Sequence, residues 1–233
     1  MARKGTVITA SINEVLPMCT GHSTVRTRTN LSILHLHSAC LFSRQVQELE
    51  EQNAGKEFGT FSWEDIFARA SASVLLTVAA LESYVNELYA DRETNFPRVG
   101  TDLLIKLWET YEAKPVLEKV DLALLLREAG PLKRGVRPTQ EIALLVRLRN
   151  ALIHFKPEWF GERRAHAELS DQLAKCFAPS AFFSKGERMF PRRWASHDCT
   201  AWAIGAAIEF IEALEKQAGL RARLAQFKGK LSY

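Results

Sequence analysis

Apolar residues return every three or four positions through most of the chain, a period that predicts helices rather than strands. Leu31, Leu34, Ala39, Leu41, Phe42, Val46 and Leu49 predict a first helix within residues 29–53, capped by Thr29 or Asn30 and ended by Asn53-Ala54-Gly55. Ser62, followed by Glu64 and Asp65, predicts the start of a long helix running to about Arg92. Beyond Pro97, residues 102–111 form a shorter helix whose Trp108 and Tyr111 are expected to close the core. Lys114-Pro115 opens another helix, which Gly130-Pro131 ends. A helix over residues 163–177 stops before Pro179. The last long helix, 196–218, buries Ala201, Ile204, Ala207, Ile208, Ile211 and Leu214 and is capped by Gly219. The basic tail over 221–233 is expected to fray. There is no alternating strand pattern, internal repeat, low-complexity tract or phosphate-cradling glycine loop in the sequence. The expectation is an all-α fold. Residues 29–233 would form a single helical-bundle domain of about six to eight helices, preceded by a partly ordered arm over 1–28.

The most informative helix lies in the stretch PTQEIALLVRLRNALIHFKPEW, residues 138–159. Pro138 suits a first turn, and Pro157 cannot continue a helix, so the element should span about 139–155. At about 100° per residue, Ile142, Leu145, Val146, Leu152 and Ile153 share one arc, extended by Leu144, Leu148, Ala151 and Phe155. Arg147, Asn150 and His154 form a polar stripe within about 60°. Arg149 instead projects into the apolar arc. A charge placed there must be paired or must face a polar cleft. In the earlier long helix, Glu82 interrupts the apolar face of Val74, Val78, Leu81 and Val85, with Asn86 one turn later. The simplest packing sets Glu82 beside Arg149, as a structural ion pair or as part of a site.

Composition narrows the class. Hydrophobic content of 47%, charged content of 25% and a net charge of +4 are ordinary for a soluble globular protein, and the basic excess alone does not argue for nucleic acid. Cys19, Cys40, Cys176 and Cys199 form no CxxC pair and read as reduced thiols of an intracellular, cytoplasmic protein. The N-terminal stretch lacks the apolar run of a secretory signal, and the apolar stretches at 74–81 and 201–214 fall short of the roughly 20 residues of a membrane span. His35 and His37 lie on different helix faces, and His197-Asp198-Cys199 would need distant ligands, so no metal and no cofactor are expected. His166 is tied to no site.

The segment Ala80-Leu-Glu-Ser-Tyr-Val-Asn-Glu-Leu88, followed some sixty residues later by Leu148-Arg-Asn-Ala-Leu-Ile-His154, resembles the HEPN superfamily. Its members are compact α-helical domains with a signature of Arg, four to six residues, then His, often with a polar residue after the Arg. Arg149 to His154 has the four-residue spacing with Asn150 as the polar residue, and Arg147 to His154 has the six-residue spacing. The resemblance covers residues 62–218. It implies a metal-independent endoribonuclease that cleaves single-stranded or loop RNA at a site shared across a homodimer. In that role His154 would move protons, Arg149 would stabilise phosphorane charge and Asn150 would orient, with Arg147, Glu82 and Asn86 in support. The alternative it implies is a catalytically inactive RNA-binding or protein-interaction module. Members often act in toxin–antitoxin or antiphage settings, where a neutralising antitoxin is the partner.

Two further features would serve RNA if the resemblance holds. Lys133, Arg134 and Arg137 precede the motif helix in a loop whose default reading is solvated surface. Lys156 and Trp159 follow it, at the head of a stretch that mixes aromatic and basic residues as far as Trp194. Such mixtures stack unpaired bases, but more often they pack loops onto a core.

Overall fold

The structure, a computed structural model, describes residues 28–157 and 166–233. All regular structure in them is helical, with no strand among the described residues. The core is a three-helix arrangement: α1 (Ser32–Gln52) packs on α2 (Trp63–Ala90), and α8 (His197–Ala218) lies against both. Around it come α3 (Arg92–Asn95), α4 (Thr101–Tyr111), α5 (Val116–Leu126), α6 (Thr139–Ile153) and the short α7 (Ala167–Leu173). Both α5 and α6 touch α2 and α8.

α2 occupies the centre because it is apolar on more than one side. Ala70, Val74, Val78, Leu81 and Val85 are buried, and so are Ala80, Tyr84 and Leu88 on its flanks. Polar residues that it buries are satisfied locally: Ser73 Oγ donates to the Ala39 carbonyl at 3.0 Å, and Thr77 Oγ1 to the Ser73 carbonyl at 2.8 Å. By length and composition this helix is long and apolar enough to cross a membrane, which the shorter apolar runs did not foreshadow.

Helix ends show where local signals sufficed. Gly219 closes α8 at φ +59°, as expected, and at its other end Ser196 Oγ accepts from the Cys199 N–H at 3.2 Å. Neither Thr29 nor Asn30 caps α1. Glu87 reaches over from α2 and accepts from Ser32 N–H at 2.9 Å and Ser32 Oγ at 2.8 Å. Ser62 stands at the N-cap of α2, but its side chain makes no cap bond. α5 ends at Leu126, before Gly130, and Arg127 turns away to donate to the carbonyls of Asn95, Ala218 and Gly219.

The tail does not fray. Arg223 pairs with Glu87 at 3.2 Å, its N–H donates to Glu215 Oε1 at 2.8 Å, and Leu224 and Leu231 are buried. Charge counting suggested a solvated tail, but one arginine among buried carboxylates and two leucines anchor it. The expected helix over 163–177 shrinks to Ala167–Leu173 among the described residues. Residues 1–27 of the expected arm, and Trp159, lie outside them. Most aromatic residues of 182–194 and some of the basic ones are used in packing: Phe182 meets Phe61, Phe183 meets Trp63, Trp194 meets Phe67, and Arg192 pairs with Glu187, while Lys185 and Arg188 are exposed.

Candidate functional site

α6 is anchored by its first ten residues. Ile142, Leu145 and Leu148, three apart, are sealed in the core with Leu144 beside them, and nothing after Leu148 is buried. The predicted apolar arc is only partly covered beyond that point: Ala151 and Leu152 are half-buried against the core. Ile153 is 53% exposed and Phe155 45%. The helix ends at Ile153, two residues short of the expectation, and His154 is its C-cap, with its N–H donating to the Asn150 carbonyl at 2.9 Å.

The predicted meeting of Arg149 and Glu82 is present. Arg149 Nη2 lies 2.5 Å from Glu82 Oε1. The Arg149 side chain is 23% exposed and that of Glu82 43%, so the pair sits at the edge of the core rather than inside it. Arg149 Nε is buried without a hydrogen-bond partner, which leaves the guanidinium incompletely satisfied on its inner side.

One turn along α2, Asn86 serves a second cation that sequence reasoning missed. Lys119 of α5 is only 6% exposed, and its Nζ donates to Asn86 Oδ1 at 3.0 Å. The ammonium also stands 5.3 Å from the centroid of the Trp108 ring. Burial pushes the Lys119 pKa down, and the charges of Glu82 and Glu112 oppose that shift. The signal was available: Lys119 interrupts the apolar spacing of Val116, Val120 and Ala123 as Arg149 interrupts that of α6. Glu82 and Asn86 thus form a two-step polar ladder on α2, each rung occupied by a cation from another helix.

The stripe of Arg147, Asn150 and His154 is exposed. Arg147 Nη1 donates to Gln172 Oε1 at 2.7 Å and lies 3.3 Å from Glu168 Oε1, which ties α7 to α6. Counting about 100° per residue, His154 lies about 20° from Arg147 and about 140° from Arg149. The two spacings of the motif therefore divide. The six-residue pair shares the solvent face, and in the four-residue pair Arg149 turns toward α2.

The basic loop does not adjoin this end of α6. It leads into the other end, and a helix of this length separates the two by roughly 20–25 Å at 1.5 Å per residue. Arg134 is paired with Asp121, and Arg137 with Glu141 at 2.8 Å, while Lys133 is exposed. Nearness in sequence to the motif helix did not become nearness in space to His154. Lys156, by contrast, is exposed two residues beyond the imidazole.

His166, assigned no role from sequence, stacks on Phe155 with ring centroids 5.8 Å apart and planes 16° from parallel. Among the described residues, no group of three or more His, Cys, Asp or Glu side chains is arranged to hold a metal ion. Compared with family models, curated proteins and solved structures, the chain matches none of them.

Proposed function

We propose that this all-α domain is a HEPN-like, metal-independent endoribonuclease acting on single-stranded or loop RNA, with its site completed by a second copy of the chain. The observation that carries the reading is the end of α6, where Asn150 and His154 are exposed beside a lysine while the neighbouring Arg149 is held by Glu82. An imidazole at that position would take the proton from a ribose 2′-OH. The 2′-oxygen then attacks phosphorus and the bond from phosphorus to the 5′-oxygen breaks. The leaving oxygen needs a proton from a second acid, and His154 of a second copy would supply it. Phosphorane charge would fall to Arg149, fixed in place by Glu82, or to Arg147 on the same face as the imidazole.

A specific observation favours the second reading, a binding or assembly module without catalysis. The ion pair with Glu82 already neutralises much of the charge that Arg149 would offer a phosphorane. End-group analysis separates the two. Incubation of single-stranded RNA with the protein and EDTA should yield 2′,3′-cyclic phosphate and 5′-hydroxyl ends. RNA that is bound and stays intact would establish the module.

A further inference from the structure

Next to His154 in the chain stands an aromatic ring that the proposed chemistry does not use, on a stack rooted in the core. Phe155 is 45% exposed and follows the imidazole directly in the chain. Its ring is backed by His166 in near-parallel contact. His166 rests in turn on Phe190, with centroids 4.8 Å apart and planes 52° apart. Phe190 is buried, and its N–H donates to Ser170 Oγ at 3.1 Å, so the bottom of the stack is fixed to α7. Arg147 holds α7 against α6 through Gln172 and Glu168. The Nε2 of His166 is buried without a hydrogen-bond partner, so the ring is committed to stacking rather than to a polar network.

An exposed phenyl ring normally costs ordering entropy when it is made to bind flat against a ligand. Here the ring is ordered in advance by two rings beneath it. An exposed ring flanked in the chain by exposed His154 and Lys156 combines the two components that hold a single strand, a stacking surface and donors for phosphate. A protein partner would need a broader apolar area than Phe155 with its exposed chain neighbours Ile153 and Pro157, which alternate with the polar or charged His154 and Lys156.

We propose that Phe155, backed by His166 and Phe190, is the stacking platform for one unpaired RNA base flanking the phosphate presented to His154. This inference rests on the RNA reading above and adds a base subsite to it. Stacking on a phenyl ring carries no hydrogen-bond code, so the platform selects for unpaired bases rather than for a sequence.

The test uses full-length protein carrying His154→Ala, so that RNA stays whole, and fluorescence anisotropy with a short labelled single-stranded RNA. Its partner probe is an abasic strand of the same length. Adding Phe155→Ala should weaken binding of the normal strand roughly tenfold, Phe155→Trp should restore it, and the abasic strand should bind all three proteins alike. Equal binding of the normal strand with and without Phe155 overturns the platform and leaves the RNA reading standing. Equal weakening of both strands overturns it too, as does conversion of a dimer to a monomer by Phe155→Ala, which would make the ring a subunit contact. Absence of binding to the His154→Ala parent overturns the RNA reading together with the platform.

Discussion

Arg149 of α6 and Glu82 of α2 meet at 2.5 Å, yet neither is sealed from water. Their exposure sets the size of the pair's contribution. A fully buried pair broken from one side costs about 3–5 kcal/mol, while exposed pairs contribute about 1 kcal/mol or less. The pair lies between those limits. Arg149→Ala should therefore lower unfolding stability by about 1–2 kcal/mol in urea titrations. Glu82→Gln should cost less, because its carboxylate is the more exposed partner. Loss of 4 kcal/mol or more would mean that the pair closes over in solution.

The same substitution separates support from chemistry. If Arg149 stabilises the phosphorane, Arg149→Ala should slow RNA cleavage by about 100-fold or more in conditions where the variant is fully folded. Arg149→Lys should not restore the rate, since an ammonium cannot reproduce the guanidinium fork. A folded Arg149→Ala protein with undiminished activity would transfer the role to Arg147.

Lys119 is a buried cation whose partner Asn86 is itself exposed and can turn to water. Burial holds its pKa below the ordinary lysine value. Protonation is thus weaker in the folded than in the unfolded chain, and Lys119 contributes more stability as pH rises toward the unfolded value. Lys119→Met keeps the stem and removes the charge, so it should be neutral or stabilising at pH 7 by about 1 kcal/mol. It should also flatten the rise in stability on the alkaline side. A clear loss of stability at pH 7 would show that the contacts with Asn86 and the Trp108 face outweigh desolvation.

Glu50 gives a pH dependence of its own. Burial pushes its pKa up to about 7, partly offset by the His197 N–H that it accepts and reinforced by the charge of Asp198. The folded pKa exceeds the unfolded value, so the contribution is complete below pH of about 4.5 and is lost as pH rises through about 7. The shift caps the effect at about 3 kcal/mol, and partial solvent access reduces it to about 1–2 kcal/mol. Melting temperatures of the wild type minus those of Glu50→Gln should fall between pH 5 and pH 8. A constant difference across that window would contradict the burial of this carboxyl.

The anchored tail is tested by truncating its most buried side chain. Leu224 is 1% exposed, and Leu224→Ala should cost about 2–4 kcal/mol. A change within about 0.5 kcal/mol would mean that the tail is loose in solution after all.

Much of the bundle was legible because helix signals are local. The start of the last long helix near Ser196, the stop at Gly219 and the position of α6 between Pro138 and Pro157 follow from residues within a turn of each boundary. The contact of Arg149 with Glu82 was legible for a different reason: two helices each carried one charge of opposite sign in an apolar stripe, and few packings satisfy both. Where the partner was remote and unremarkable, the reading failed. Glu87 caps α1 from another helix, and Arg223 finds that same carboxylate from the tail. Lys119 could have been found by the reasoning applied to Arg149. The exposure of Ile153 and Phe155 could not, since periodicity reports which side of a helix is apolar but not how far its neighbours cover it.

The central claim is that the imidazole at the end of α6 transfers protons during RNA cleavage. The direct measurement is the single-turnover cleavage rate of a single-stranded RNA in EDTA, for the wild type and for His154→Ala at matched folded concentration. The account predicts cleavage by the wild type and a loss of about 100- to 10,000-fold in the variant. Equal rates for the two proteins would contradict it.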